Sequence, residues 1–219
     1  ASGTVMLPKV SRMTRMKQMD AVKRHIRLSM ELVMCMVCAM AFGLAAVAVN
    51  FAPLFYGDDF AYSGTLMMPL AFTLLSIGFA NVIRTQWVLP QGRDTIFVHS
   101  VLTGAVINLI ANFVLIPPFG AMGAAAATVL AEFSVPAVQF VYLRKELPYA
   151  QYLKTTGVYC LFGLVMAGAV VLLGYVLPLH GWGKLAVQVT GGAAVYGALC
   201  LTYWKLAKRS DIFRLMRRK

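Results

Sequence analysis

The chain has 219 residues, of which 60% are hydrophobic and only 13% are Asp, Glu, Lys or Arg. This composition lies far outside the range of an ordinary soluble domain and indicates a membrane protein. A net charge of +12 in a soluble protein would suggest a nucleic-acid partner. Here the positive charges flank apolar segments, where they can face anionic lipid headgroups. No nucleic-acid partner is therefore expected.

Residues 1–27 precede the first apolar span and are strongly basic. Residues 1–7 form an apolar stretch too short to cross a membrane, which suggests the end of a truncated upstream segment. Between residues 10 and 26, apolar side chains recur among basic ones. This pattern suits either a helix lying on the cytoplasmic surface or a solvated basic linker, and both interpretations stay open.

Six apolar segments follow, each long enough to cross about 30 Å of hydrocarbon as a helix. The sequence therefore predicts an all-α membrane protein with one six-span transmembrane lobe at residues 28–204 and a basic cytoplasmic tail at residues 205–219. The spans are predicted at about 28–51, 63–89, 97–116, 121–143, 156–178 and 185–204.

The basic residues fix a predicted orientation. Nineteen of the twenty Lys and Arg residues lie at one set of span ends, and only Lys184 lies at the other. Because Lys and Arg in short loops stay in the cytoplasm, both ends of this chain are predicted to be cytoplasmic. The tryptophans near span ends are expected at headgroup depth, where amphipathic rings accumulate; these are Trp87, Trp182 and Trp204.

The sequence contains no recognisable catalytic or metal-binding pattern. Cys35 and Cys38 have the spacing of a redox or metal motif, but they lie inside a span with no His or third Cys to complete a site. They are interpreted as small packing residues. His25, His99 and His180 are scattered, and no nucleophile lies beside a base. We expect no enzyme activity, catalytic residue, metal or cofactor.

Glu132 is the strongest candidate functional residue. Counting from Gly120 at about 1.5 Å per residue places it about 18 Å deep, near the middle of the membrane. Thr128, Pro136 and Gln139 lie at helical spacings from it and should share its face. Pro136 also removes one backbone hydrogen bond beside the acid. Glu132 is either a coupling-ion or gating site, for H⁺ or Na⁺, or a static interhelical partner.

Other polar residues mark helix contacts and a possible cavity. The third span carries Ser100, Gly104, Asn108 and Asn112 at intervals of four, and small or amide residues in such a row allow close helix approach. Small residues repeat this pattern in the fourth span, so the two spans should pack as an antiparallel hairpin. The matching residues are Gly123, Ala127 and Ala131.

Three polar residues lie close to the basic ends of the first two spans. Asn81 and Arg84 end the second span. Arg84 either snorkels to the interface or faces a cavity and attracts an anionic group. Glu31, shortly inside the first span, is expected to be an interfacial partner of Arg24 or Arg27.

Several segments, in their order and spacing, resemble the second half of bacterial polysaccharide flippases. That family belongs to the superfamily of multidrug extrusion proteins and the lipid II flippase. The resemblance extends from Met6 to about Leu147, whereas the last two spans are generic. It is carried by Met6 to Ser11, Asn50 to Gly57, Arg84 to Pro90, Gly104 to Leu109, Pro117 to Gly120 and Gly123 to Glu132.

The resemblance implies the carboxy-terminal lobe of a two-lobe transporter in the bacterial cytoplasmic membrane, with an N-terminal lobe upstream. The implied substrate is an undecaprenyl-diphosphate-linked oligosaccharide, moved by alternating access for O-antigen, capsule or exopolysaccharide synthesis. A polysaccharide polymerase or glycosyltransferases would be partners. The polar residues inside the spans supply the candidate cavity or gating positions, to which the resemblance itself assigns no role: Asn81, Arg84, Asn108, Asn112, Glu132 and Gln139.

Two other functions fit the same residues. An ion-coupled multidrug efflux transporter shares the superfamily fold and would also use an intramembrane acid. A non-transporting membrane scaffold in a polysaccharide assembly complex would need no second lobe. Inhibition of dye accumulation would indicate the first alternative, and rescue of surface polysaccharide would indicate the flippase.

Overall fold

The computed structural model describes residues 19–206, which are almost entirely helical. The α-helices are α1 (Met19–Tyr56), α2 (Ala61–Ala71), α3 (Thr73–Ile83), α4 (Asp94–Leu143), α5 (Tyr149–Val176) and α6 (Gly181–Leu206). A short 3₁₀ turn at Asp58–Phe60 follows α1. A π-helical turn at Arg84–Val88 and a 3₁₀ turn at Leu89–Gln91 follow α3. Within residues 19–206, five continuous helical segments are long and apolar enough to cross a membrane, with α2, α3 and their flanking turns counted as one segment.

Helix α4 is two antiparallel arms joined at Gly120. Gly120 has φ +55° and ψ −131°, a backbone conformation that glycine adopts at little cost. The arms approach so closely that a Cβ added at Gly123 would lie 2.0 Å from the carbonyl oxygen of Leu115. Farther along, Gly104 faces Ala131 and Val135. The predicted hairpin is confirmed, and its two arms correspond to the third and fourth predicted spans.

The basic residues before the first predicted span belong to the same helix as that span. Residues 19–27 are helical and continue without a break into the segment predicted from about residue 28. The upstream remnant and most of the predicted basic linker or surface helix fall in residues 1–18, outside the described residues. The predicted tail falls outside them from residue 207 onward.

Helix α1 is the central element of the bundle. It packs against α2, α3, α5 and α6, whereas the α4 hairpin packs mainly against α2 and α3. A row of buried residues at intervals of four gives α1 its interior face: Val22, Ile26, Met30, Met34 and Cys38. The hairpin therefore projects from one side of the bundle, and a cavity forms between its two arms and α3.

A buried hydrogen-bonded group joins α1, α5 and α6. The Glu31 side chain is only 2% exposed and accepts a hydrogen bond from the Tyr159 hydroxyl at 3.1 Å. Trp204 Nε1 donates to the same Tyr159 oxygen at 2.9 Å. This carboxyl group therefore lies inside the contact between the three helices, and its expected partnership with Arg24 or Arg27 stays a prediction. Trp204, expected at headgroup depth, is likewise buried.

A second polar group joins the turns on the side of the bundle that carries most of the basic residues. Glu146 accepts hydrogen bonds from Arg93 Nη1 at 2.7 Å and from Trp87 Nε1 at 3.0 Å. The Lys23 ammonium lies 6.0 Å from the centre of the Trp87 ring, within cation–π range. Trp87 is 5% exposed, so it serves as an internal contact and not as part of a headgroup belt.

The Glu146 contacts predict an acid-dependent contribution to stability. Burial raises the pKa of Glu146, but hydrogen bonds from Arg93 and Trp87 and the charges of Arg93 and Lys23 outweigh it and hold the pKa below its ordinary value of 4.5. A carboxyl group whose pKa is lowered by folding stabilises the protein above its unfolded pKa, and this stabilisation is lost as the pH falls through the folded pKa.

We therefore expect Glu146→Gln to lower stability by about 1 kcal/mol at pH 7, since the pair is partly exposed. The difference from the parent protein should shrink as the pH falls below 4.5 and disappear once the carboxyl group is protonated in the folded protein. Apparent melting temperatures of both proteins in detergent from pH 7 to pH 3 would test this. A difference that persists unchanged at pH 3 would show that the ionised carboxylate is not its source.

Candidate functional site

A cavity of about 780 Å³ lies between α3 and the two arms of α4. Helix α3 and its π-helical turn form one wall, the first arm forms the second wall, and the second arm forms the third. Its polar and aromatic lining comprises Asn81, Arg84, Phe97, Asn108, Thr128, Glu132 and Gln139. The remaining lining is aliphatic or glycine, so the polar groups face one another across an otherwise apolar space.

Five of the six candidate residues line this one cavity. The sixth, Asn112, lies one helical turn beyond Asn108 and donates a hydrogen bond from Nδ2 to Asn108 Oδ1 at 3.0 Å. The sequence-derived set therefore converges in space, although its members come from three separate helical segments. Their individual roles remain predictions.

Arg84 is held in the wall of the cavity. Its Nη2 donates to Asn81 Oδ1 at 3.0 Å, and its guanidinium carbon lies 4.7 Å from the centre of the Phe97 ring. The Nε atom is buried and hydrogen-bonds to no residue in 19–206. Arg84 begins the π-helical turn, a wide turn that often occurs at functional sites. Its charge is thus positioned toward the cavity.

The second arm has a gap in its backbone hydrogen bonding at Glu132. In a regular helix the Glu132 carbonyl would accept from the amide of residue 136, but residue 136 is proline and has no N–H. The Ser76 hydroxyl of α3 donates to this carbonyl instead. This contact holds the second arm against α3 at the depth of Glu132. Ser76 thus supplies a partner for the carbonyl to which Pro136 cannot donate.

The Glu132 carboxylate itself forms no hydrogen bond or ion pair with any residue that the structure describes. Thr128, one turn away, donates its hydroxyl hydrogen to the Ala124 carbonyl. The lone pairs of its oxygen therefore remain available to accept a hydrogen bond. Gln139 is 1% exposed, and its Oε1 accepts no hydrogen bond within residues 19–206. The carboxylate is thus available to a proton, a small cation or a cationic group that arrives by movement.

The predicted face of the second arm is divided between two cavities. Thr128, Glu132 and Gln139 line the polar cavity. Pro136 instead lines a neighbouring apolar cavity of about 390 Å³ next to α5. Pro136 therefore acts on the polar cavity indirectly, because it leaves the Glu132 backbone carbonyl without an amide donor.

Sequence reasoning missed Ser76 and Phe97. Ser76, Ala80 and Arg84 are spaced by four residues, so a helical projection of the second span could have placed Ser76 on the side that faces the second arm of α4. Phe97 gave no comparable signal, because an aromatic residue at the start of an apolar span is ordinary. Across residues 19–206 no group of three or more His, Cys, Asp or Glu side chains is arranged to hold a metal ion.

Comparison with known proteins identifies the family. The model of the family "Lipid II flippase MurJ" matches residues 1–190. This chain belongs to the lipid II flippase MurJ family. A curated relative, the probable low-salt glycan biosynthesis flippase Agl15 of Haloferax volcanii, is 23% identical over 206 residues, covering 93% of this chain and 43% of the relative.

The fold also matches a solved structure, a lipid II flippase MurJ in an inward closed conformation. The match has a TM-score of 0.77 and 16% identity, and it covers 94% of this chain and 43% of the MurJ chain. The prediction of an all-α flippase-type fold is confirmed. This chain spans less than half the length of both proteins, so the activity of a whole MurJ-family protein is a matter for proposal.

Proposed function

We propose that this chain forms the carboxy-terminal lobe of a flippase that translocates a lipid-linked oligosaccharide across the cytoplasmic membrane. Membership of the MurJ family and the name of the glycan biosynthesis flippase relative support the general activity. The observation that carries the proposal is the polar cavity, in which Arg84, Glu132 and amide side chains face an otherwise apolar space of about 780 Å³.

The substrate chemistry explains why such a cavity is needed. A sugar head group with two phosphates cannot cross hydrocarbon unaided, because burying unpaired charge costs many kcal/mol. A cavity that is polar and partly cationic lowers this cost for the head group while the lipid tail remains in the bilayer. Arg84 is suited to an anionic group, since its guanidinium is already positioned by Asn81 and Phe97.

Glu132 supplies the means of coupling in this proposal. A carboxylate near the middle of the membrane is costly unless it is protonated, paired or bound to a cation. Exchange among these states would alter the balance between inward-facing and outward-facing arrangements of two lobes. The coupling ion would be H⁺ or Na⁺, and Asn108, Asn112 and Gln139 supply further amide groups near or in the same cavity.

For the substrate itself, the specific proposal is an oligosaccharide linked to undecaprenyl diphosphate. It would be used for O-antigen, capsule or exopolysaccharide in a bacterium. A polysaccharide polymerase or glycosyltransferases would then act beside the transporter, and both ends of this lobe would be cytoplasmic. The sequence segments that resemble polysaccharide flippases support this branch, while the family match supports lipid II as the competing substrate.

Complementation with the full-length protein tests the proposal. It should restore surface polysaccharide in a strain that lacks its own flippase and leave accumulation of a cationic dye unchanged. Rescue of growth in a strain depleted of its lipid II flippase, without rescue of polysaccharide, would assign lipid II instead. Reduced dye accumulation alone would indicate drug efflux, and normal membrane expression with none of these effects would indicate a scaffold.

A further inference from the structure

Four cysteines form two close thiol pairs in the interior of the bundle. Cys35 Sγ of α1 lies 3.7 Å from Cys200 Sγ of α6, and Cys38 Sγ of α1 lies 3.7 Å from Cys160 Sγ of α5. The interpretation of Cys35 and Cys38 as small packing residues did not include these contacts, in which each cysteine meets a thiol on another helix. Nothing in the proposed transport cycle uses them.

The surrounding contacts fix which thiols meet. Cys35 and Cys38 are three residues apart and so share one face of α1. Tyr196 lies one turn before Cys200 and donates from its hydroxyl to the Cys35 carbonyl at 2.7 Å. This bond sets the register of α6 against α1. On the other side, the Tyr159 bond to Glu31 sets the register of α5 beside Cys160.

Each pair combines one reachable thiol with one buried thiol. Cys38 is 0% exposed and Cys200 is also buried, whereas Cys35 and Cys160 are partly exposed. Cys160 also lines the apolar cavity of about 390 Å³ between α5 and the second arm of α4. Thiols that form disulfides on oxidation are often arranged in this way, with an accessible cysteine next to a resolving cysteine.

The apolar surroundings of the thiol pairs favour disulfide formation over metal binding. From Arg27, Cys35 and Cys38 are about 12 and 16 Å along the helix, well inside the hydrocarbon region. A metal ion held by two thiolates would lack the further ligands that a closed site needs, because no group of three or more His, Cys, Asp or Glu side chains in residues 19–206 is arranged to hold one. A disulfide is neutral, and the sulfurs need to approach from 3.7 Å to a bond length of about 2.05 Å.

We infer that Cys35–Cys200 and Cys38–Cys160 are two oxidation sites that form interhelical disulfides with a lipid-soluble organic hydroperoxide. The reachable sulfur attacks the terminal peroxide oxygen, so an S–O bond forms, the O–O bond breaks and an alcohol leaves with the thiol proton. The buried sulfur then attacks the sulfenic sulfur. The S–S bond forms, the S–O bond breaks and water leaves with the second thiol proton.

The two bonds would link α1 covalently to α5 and α6 and leave the α4 hairpin without a disulfide to the rest of the bundle. They would close sequence loops of more than a hundred residues, and long loops give the largest entropic stabilisation in the chain-entropy account. Oxidised protein should therefore melt at a higher temperature than reduced protein, and a reductant should reverse the change.

The test treats the full-length protein in lipid vesicles with cumene hydroperoxide, blocks the remaining thiols with N-ethylmaleimide and maps linked peptides by mass spectrometry. None of the four cysteines should then be alkylated, because each is held in a disulfide. The linked peptides should show the bonds Cys35–Cys200 and Cys38–Cys160. Cys35→Ser should retain only Cys38–Cys160, and Cys38→Ser should retain only Cys35–Cys200. Cys200→Ser replaces Cys35→Ser if that variant does not fold.

Several results would overturn the inference. A Cys35–Cys38 linkage would show that the spacing within α1 governs oxidation and that the contacts between helices do not. Sulfinic or sulfonic acids without linked peptides would show that the resolving thiols are out of reach, and fully alkylated protein would show that no reaction occurs. Oxidation by hydrogen peroxide but not by cumene hydroperoxide would contradict the lipid-soluble class of oxidant.

Discussion

Replacing Glu132 by glutamine in the full-length protein is expected to lower the rate of substrate translocation by about tenfold or more, a size typical of lost coupling between sites. Glutamine keeps the length of the side chain and an acceptor oxygen but removes the charge and the ability to ionise. The Ser76 bond to the Glu132 backbone carbonyl does not depend on the side chain, so the second arm should remain in place.

The measurement is the initial rate of lipid-linked oligosaccharide translocation in reconstituted vesicles, at equal protein content, together with rescue of surface polysaccharide in cells. Asp59→Asn is the matched control, since it makes the same chemical change on an exposed residue in the turn after α1. Its rate should equal that of the parent protein. Full activity of Glu132→Gln at normal expression would end the proposal that Glu132 couples or gates transport.

A double replacement separates gating from ion binding. If Arg84 and Glu132 meet in one conformation, Arg84→Gln and Glu132→Gln should be non-additive, because either change alone already removes the ion pair. If Glu132 only binds the coupling ion, the losses should multiply. The pH and Na⁺ dependence of the parent protein would then identify the ion that Glu132 takes up.

The helical architecture was predictable because its signals are local. Apolar length defined the spans, and the Pro-Gly turn and the small residues on both arms predicted the α4 hairpin. The convergence of Arg84, Asn108 and Glu132 followed in part from the same signals, since helical spacing places polar groups on definite faces. The hairpin then brings two of those faces together.

The interior contacts could not be predicted because they depend on which helices are neighbours. Glu31 and Tyr159 are 128 residues apart in sequence, and Cys35 and Cys200 are 165 residues apart. No pattern within one span reveals such pairs. Trp87 illustrates the same difficulty, since an aromatic residue near a span end suits headgroup depth, whereas here Glu146 from a distant turn binds it inside the protein.

Replacing Gly123 by alanine is expected to destabilise the protein by about 2 to 3 kcal/mol, the cost of overpacking a tight contact. The added Cβ would lie 2.0 Å from the Leu115 carbonyl oxygen and 2.5 Å from its carbon. Both are backbone atoms, so no side-chain rotation can relieve the overlap. The two arms of α4 must separate, which also widens the cavity that they share with α3.

Apparent melting temperature in detergent, measured at one heating rate, tests this expectation. A loss of this size corresponds to a fall of about 5 °C or more for a protein of this length. Gly157→Ala is the matched control, since that helical glycine of α5 has open space at the position of a Cβ. The control should be neutral or slightly stabilising, because alanine favours helices more than glycine does. Equal melting temperatures for Gly123→Ala and Gly157→Ala would show that the arms of α4 do not approach as closely as in the structure. The cavity between the arms and α3 would then have a different shape.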